Sequence, residues 1–293
     1  MRVHVDENAG FCAGVERAIQ LIESELEEKS QLFSIGPVIH NPIEVDRLGE
    51  RGLKTIDQDR IISGESEEIS NQHVLIRTHG ISEGIKNYLD SICADVTDAT
   101  CPNVKKVQQI VKQHCSEGYQ ILIVGKKAHP EVAGLVGHCE RGAIVLESIE
   151  DIDHRINMSK KTLLIAQTTI SQKLFYKIEG QLKNKVDNLV VKDTTCRSVR
   201  NRQVGIEDFA CSHDIIVFVA GKNSSNSREL YNISKTKNNR IYWIEDESEV
   251  GENWFEPDDK VGVTGGASTP NWLLQKVAHY IENLLVSTSK NIY

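Results

Sequence analysis

The chain has 293 residues, 39% hydrophobic and 26% charged, with a formal net charge of −8. That balance argues against a nucleic-acid partner, which calls for a basic face. The longest apolar run, residues 215–220, falls far short of the ~20 residues of a membrane helix. Met1 to Glu7 carry no apolar run behind their charges, so no signal peptide is expected and a cytoplasmic location is predicted. Seven cysteines in a chain this long do not make a disulfide framework and are expected to be thiols or metal ligands.

Taken in chain order, the sequence repeats one plan three times. A short strand at 2–5 precedes Cys12 and is expected to join the sheet of the third copy. After Cys12, Val15, Ala18, Ile19, Ile22 and Leu26 recur at helical spacing. An apolar strand, Leu32 to Ile35, then ends at Gly36, 24 residues after the cysteine, and a second, Val74 to Arg77, ends at Thr78-His79-Gly80. Cys101 opens the next copy, with Pro102 suited to a first helical turn and Val104, Val107, Ile110 and Val111 as the stripe. Its strand ends at Gly125, again 24 residues on, and a later one at Gln167-Thr168-Thr169. Cys196 opens the third copy, with a helix through Val204 to Cys211, a strand at 215–219, and another ending in Thr264-Gly265-Gly266-Ala267-Ser268. A closing helix holds Trp272, Leu273, Val277, Tyr280, Ile281 and Leu284. The tetrapeptide Asp98-Ala99-Thr100-Cys101 returns as Asp193-Thr194-Thr195-Cys196.

Helices alternating with short apolar strands predict an α/β fold with small, mostly parallel sheets and ligand-facing loops at the carboxyl ends of the strands. Three pseudo-equivalent lobes are expected around a common centre: 13–97, 98–194, and 195–284 together with 1–12. The polar segments 57–71, 148–160 and 242–259 read as outer helices and connections.

Each of Cys12, Cys101 and Cys196 precedes a predicted helix, where the dipole and free amide N–H groups favour a thiolate. Three thiolates brought together require a metal, and such ligands select zinc, copper(I) or an iron–sulfur cluster. Structural zinc sites use Cys-x-x-Cys pairs, which are absent here. Single thiolates from distant parts of the chain suit a 4Fe-4S cluster with one iron left open. A zinc enzyme using the same thiolates, and a redox-sensing regulator, are the competing readings. Cys115 and Cys211, late in their helices, are predicted to pack in the core, and Cys93 and Cys139 to have structural roles.

The loops after the strands supply His40 and His79, then His129, Glu131, Thr168 and Thr169, then Ser224, Ser225, Asn226 and Ser268. Singly, such residues are ordinary solvated histidines and turn-forming caps. At matching places in three repeats they form a set of neutral donors suited to a phosphate or diphosphate. Glu131 is the one carboxylate in the set. Beside a negative cluster and an anion its pKa is expected to rise, leaving it able to deliver a proton with Thr168 as relay.

At these residues the chain closely resembles the 4-hydroxy-3-methylbut-2-enyl diphosphate reductases of the LytB family. The matching motifs are Gly10-Phe11-Cys12-Ala13-Gly14-Val15, Ile39-His40-Asn41, Thr78-His79-Gly80, Asp98-Ala99-Thr100-Cys101-Pro102 and Ala128-His129-Pro130-Glu131-Val132. Further on are Gln167-Thr168-Thr169, Asn223-Ser224-Ser225-Asn226-Ser227 and Gly265-Gly266-Ala267-Ser268-Thr269-Pro270. They span nearly the whole chain, with Ser198 and Val199 departing from the family pattern. The resemblance implies a three-lobed fold and a 4Fe-4S cluster on Cys12, Cys101 and Cys196, whose open iron takes the substrate hydroxyl. It further implies two-electron reductive dehydroxylation to isopentenyl and dimethylallyl diphosphate, the last step of the methylerythritol phosphate isoprenoid pathway. Glu131 and Thr168 would handle protons, the His, Ser and Asn residues would hold the diphosphate, and a ferredoxin or flavodoxin would supply electrons.

Overall fold

A computed structural model describes residues 2–290, with side chains through residue 284. The chain runs β1 (Arg2–Val5), α1 (Ala13–Glu28), β2 (Leu32–Ile35), α2 (Pro42–Glu50), β3 (Leu53–Ile56), α3 (Gln58–Ile62), β4 (His73–Ile76), α4 (Glu83–Ile92) and β5 (Asp95–Asp98). It continues with α5 (Pro102–Ser116), β6 (Gln120–Val124), α6 (Pro130–Val136), β7 (Ile144–Leu146), β8 (Thr162–Ala166), α7 (Gln172–Lys183) and β9 (Leu189–Val191). The last stretch is α8 (Arg197–Cys211), β10 (Ile215–Val219), α9 (Ser225–Lys237), β11 (Ile241–Ile244), β12 (Lys260–Gly265) and α10 (Asn271–Lys290). No described helix is long and apolar enough to cross a membrane.

Among the described residues the strands form three four-stranded sheets, ordered β3-β2-β4-β5, β7-β6-β8-β9 and β11-β10-β12-β1. Every pairing is parallel. The three sheets therefore share one topology. β1 pairs with β12, from Arg2 opposite Lys260 to Val5 opposite Val263, and so holds the place that β5 and β9 hold in the other two sheets. In each sheet the strand at that edge runs out into a cysteine, which accounts for the recurring spacing.

The chain divides into two compact units. One comprises the segments up to Glu16, Ile39–Leu48, and from Arg197 onward, and contains the β11-β10-β12-β1 sheet; the other comprises Arg17–Val38 and Gly49–Cys196 and contains the remaining two sheets. Within the second unit, β6 and β8 read as unbroken apolar runs because helices cover both faces. Ile121, Ile123, Leu163 and Ile165 pack with Val107, Val111 and Leu135 on one side. Leu122, Val124 and Leu164 pack with Phe175, Ile178 and Leu182 on the other. In the first unit β10 alternates likewise, with Ile215, Val217 and Val219 against Leu273, Leu274 and Val277, and Ile216 and Phe218 against Ile206 and Leu230. Each such side chain fully buried contributes about 1.5–3 kcal/mol.

Three sequence expectations need correction. Segments 57–71 and 148–160 do contain helical pieces, α3 and short 3-10 turns at Glu67–Ile69 and Ile149–Asp151. Segment 242–259 also holds 3-10 turns, at Glu247–Glu249 and Glu252–Trp254, but it begins inside β11, an edge strand whose mixed burial hides its period, and Tyr242 stacks on Trp254 with ring centroids 4.0 Å apart. Cys211 is exposed rather than packed in the core. Cys115 lies 14 residues beyond Cys101, and the matching position after Cys196 is Ala210, which is buried. One further residue turns about 100° around a helix, and that carries Cys211 out to solvent. Third, Cys115 and Cys139 are not separate thiols: they form a disulfide, with Cα atoms 5.5 Å apart, joining the last turn of α5 to the turn after α6.

Candidate active site

Cys12, Cys101 and Cys196 are not disulfide-bonded, and each stands one residue before a helix of 15 or 16 residues. The backbone holds all three in one way. The Cys12 amide donates to the carbonyl of Ala267 (3.1 Å), the Cys101 amide to Thr78 (3.0 Å) and the Cys196 amide to Thr168 (2.7 Å). These acceptors lie in the loops after β12, β4 and β8, the loops in which the sequence places candidate ligand-binding residues. The echoed tetrapeptide is a repeated turn. Asp98 Oδ1 accepts from the Thr100 amide at 2.9 Å, and Asp193 Oδ1 from the Thr195 amide at 3.0 Å. Such an aspartate turn sets the direction in which the chain enters its cysteine. Asn103, two residues beyond Cys101, donates from Nδ2 to the Cys196 sulfur at 3.4 Å. That bond brings the sulfur of Cys196 to the start of the helix behind Cys101. Cys93, by contrast, is pushed up to about 11 by burial and by nearby Asp90, so it stays an unreactive thiol.

Glu131 sits at the start of α6, whose first residue is Pro130 and whose N-cap is His129. The Glu131 amide donates to His129 Nδ1 at 3.2 Å, which puts the imidazole proton on Nε2. The His129 and His79 rings meet edge to face, centroids 5.2 Å apart. Glu131 is 1% exposed. One oxygen accepts from the Thr168 amide at 2.7 Å and the other from the Thr168 hydroxyl at 2.8 Å. Burial pushes its pKa up to about 7, against the opposing pull of those two bonds. The rise expected from the sequence is present, and its cause is desolvation. Thr169 Oγ1 accepts from Gln167 Nε2 at 2.9 Å, while Gln167 Oε1 accepts from the Lys126 amide at 3.0 Å, tying the loop after β8 to the loop after β6.

In the first unit a second set of residues is gathered. Ser224 caps α9, its hydroxyl accepting from the Ser227 amide at 3.2 Å, and Ser225 is the first helical residue. The side-chain oxygen and nitrogen of Asn226 and the hydroxyl of Ser227 are buried and have no hydrogen-bond partner among the described residues. An orphaned buried polar group costs about 1–3 kcal/mol, so the helix start is built for a polar ligand that would satisfy it. Ser268 Oγ lies 3.5 Å from the His40 carbonyl. Two close approaches require glycine. A Cβ on Gly221 would stand 2.2 Å from that His40 carbonyl oxygen, and one on Gly266 would stand 2.1 Å from Ser227 Oγ. The sheet below is braced by a buried ion pair, Arg202 to Asp6 at 2.7 Å, with Arg202 also donating to Thr264 Oγ1 at 2.7 Å.

The predicted residues thus fall into two described sets. Cys101, Cys196, His79, His129, Glu131, Thr168 and Thr169 are linked within the second unit; Cys12, His40, Ser224, Ser225, Asn226 and Ser268 lie in the first. Asn103, Gln167, Ser227 and Arg202 carry contacts that sequence reasoning did not assign. Their signal was adjacency, since Asn103 follows Cys101-Pro102 and both Gln167 and Ser227 lie inside motifs already singled out.

The donor set fits an iron–sulfur cluster: cysteines outside any disulfide at helix starts, one already receiving an N–H···S bond. The model of the family described as LytB protein matches residues 3–282. A 4-hydroxy-3-methylbut-2-enyl diphosphate reductase of Chloroherpeton thalassium is 38% identical over 308 residues, covering 96% of this chain and 96% of its own. The enzyme of that name from Clostridioides difficile is 34% identical, covering 97% of this chain and 100% of its own. The solved structure of (E)-4-hydroxy-3-methyl-but-2-enyl diphosphate reductase, the terminal enzyme of the non-mevalonate pathway, is 36% identical with a TM-score of 0.72, covering 96% of this chain and 99% of that one. The fold is shared by the Plasmodium falciparum E-1-hydroxy-2-methyl-but-2-enyl-4-diphosphate reductase, with a TM-score of 0.82 at 23% identity and 99% of each chain covered. The chain belongs to the LytB protein family.

Proposed function

We propose that the chain reduces (E)-4-hydroxy-3-methylbut-2-enyl diphosphate to isopentenyl and dimethylallyl diphosphate, the closing step of the methylerythritol phosphate route. Two electrons and two protons are consumed, and the allylic hydroxyl leaves as water. Cys12, Cys101 and Cys196 hold a 4Fe-4S cluster. When bound, that cluster supplies the electrons singly and offers an open coordination position for the substrate hydroxyl. The chain's own residues do the rest. Asn226, Ser224, Ser225 and Ser268, with His40, His79 and His129, bind the diphosphate through neutral donors and the α9 terminus. Glu131, which burial keeps partly protonated at neutral pH, gives its proton to the Thr168 hydroxyl, which passes its own forward.

The observation that carries the reading is Thr168. Its side chain and amide hold the carboxyl group of Glu131, and its carbonyl holds the amide of Cys196. One residue therefore joins the proton source to a cluster thiolate. The reading implies a reducing cytoplasm and a ferredoxin or flavodoxin as donor. Anaerobic purification tests it: iron and acid-labile sulfide near four each per chain are expected, with reductive turnover of the hydroxylated diphosphate by a chemical one-electron donor. A colourless zinc protein, or an intact cluster that leaves the substrate unchanged, would overturn it.

A further inference from the structure

The Cys115–Cys139 disulfide lies outside the site above, yet the covalent loop it closes spans 24 residues and contains β6, His129 and Glu131. Both sulfurs belong to the core cluster of the β6 sheet, with Cys115 6% and Cys139 5% exposed. They are not sealed in. A groove of about 570 Å³ is lined by Cys115 together with Lys112, His138, Arg141 and the carboxylates Glu83 and Glu140, Glu83 lying 2.5 Å from Lys112 Nζ. The inference rests on the proposed function here: cysteines that serve as cluster ligands call for a reducing milieu. Disulfides that occur in such surroundings are usually transient and redox-sensing rather than structural.

We propose that Cys115–Cys139 is a reversible thiol–disulfide site that sets the local mobility of the segment carrying His129 and Glu131. The reductant is a protein or small-molecule dithiol. Its thiolate enters by the groove that reaches Cys115. It attacks the Cys115 sulfur, the S–S bond breaks, and Cys139 leaves as a thiolate that takes up a proton. The second thiol of the reductant then resolves the mixed disulfide, so that two electrons and two protons reach the pair and the reductant becomes a disulfide. In the reverse direction an external disulfide accepts those electrons. Once reduced, α6 is held at its far end only by non-covalent packing, chiefly Val132 and Leu135. Its seven residues are too few to persist as a helix alone.

The test does not depend on the reaction catalysed. Full-length, folded protein is equilibrated across ratios of reduced to oxidised dithiothreitol, then alkylated and read by mass. Cys115 and Cys139 should titrate together through one midpoint without denaturant, and amide exchange across residues 126–137 should speed up at least about tenfold on reduction while β10 is unchanged. C139S should exchange like the reduced wild type and ignore the dithiol; because the wild-type titration needs no variant, a C139S chain that fails to fold leaves the decision with that titration. The proposal falls if the pair is reduced only after unfolding, or if exchange across 126–137 is the same in both redox states.

Discussion

The starts of α6 and α9 occupy the same place in two repeats. Each follows the second strand of its sheet order, β6 or β10, and each is capped by a side chain, His129 or Ser224. Their chemistry has diverged. At α6 the buried polar group is a carboxyl whose two oxygens are both bonded to Thr168. At α9 it is the amide of Asn226, with neither end bonded among the described residues. A satisfied group in a dry pocket holds a proton, whereas an unsatisfied one waits for a ligand. On the function proposed above, the same backbone frame would serve as a proton source in one repeat and an anion cradle in another, through one side chain and its neighbours.

The largest effect is expected from breaking the α6 side. E131Q keeps the shape and removes the proton, so kcat should fall about 10²–10⁴-fold with KM little changed, measured with a chemical electron donor. An equal rise in KM would show that Glu131 binds substrate instead. Next comes the frame beneath the α9 side. Removing Arg202 leaves Asp6 buried without its cation, so R202M should lose about 3–5 kcal/mol in denaturant unfolding. N226L acts on the cradle itself. Loss of hydrogen bonds to a charged ligand, about 1.5–3 kcal/mol, should raise KM for the diphosphate roughly 10–100-fold. Because the substitution removes two unpartnered buried atoms, the thermal midpoint should hold or rise. A falling midpoint would mean that Asn226 serves the fold.

The smallest effects are in pH, and the two units should respond in opposite senses. Glu131 has a folded pKa near 7, raised by burial from 4.5. Its contribution to stability is complete below 4.5 and is lost as pH rises through about 7. The proton-delivering form fades over the same range, so kcat should decline above about 7. In the first unit His213 is lowered from 6.5 by burial, despite its bond to the Phe209 carbonyl. Its contribution is present above 6.5 and is lost as pH falls below that value. Unfolding curves of wild type, E131Q and H213Q between about pH 5 and 8 check both signs. E131Q should flatten the alkaline limb alone and H213Q the acid limb alone.

Much of this comparison was legible beforehand. Even spacing marked Cys12, Cys101 and Cys196, and the buried central strands stood out because β6, β8 and β10 are continuous apolar runs. The edge strands β3 and β11 did not, since only their end residues are buried and half-buried strands of four residues leave no clear period. Cys211 was misplaced by one residue, which on a helix is enough to exchange core for solvent.

The sequence by itself determined the repeat, the fold class, the parallel strands and the residue types at each loop, because those follow from local periodicity and turn chemistry. Tertiary structure alone decided which groups meet. It paired Cys115 with Cys139, put both oxygens of Glu131 on Thr168, tied Thr168 to Cys196, and left the Asn226 side chain without a partner among the described residues. These are contacts between residues far apart in the chain, and the pKa of Glu131 depends on how completely such contacts exclude water. Burial is a property of the packed chain, and no local pattern encodes it.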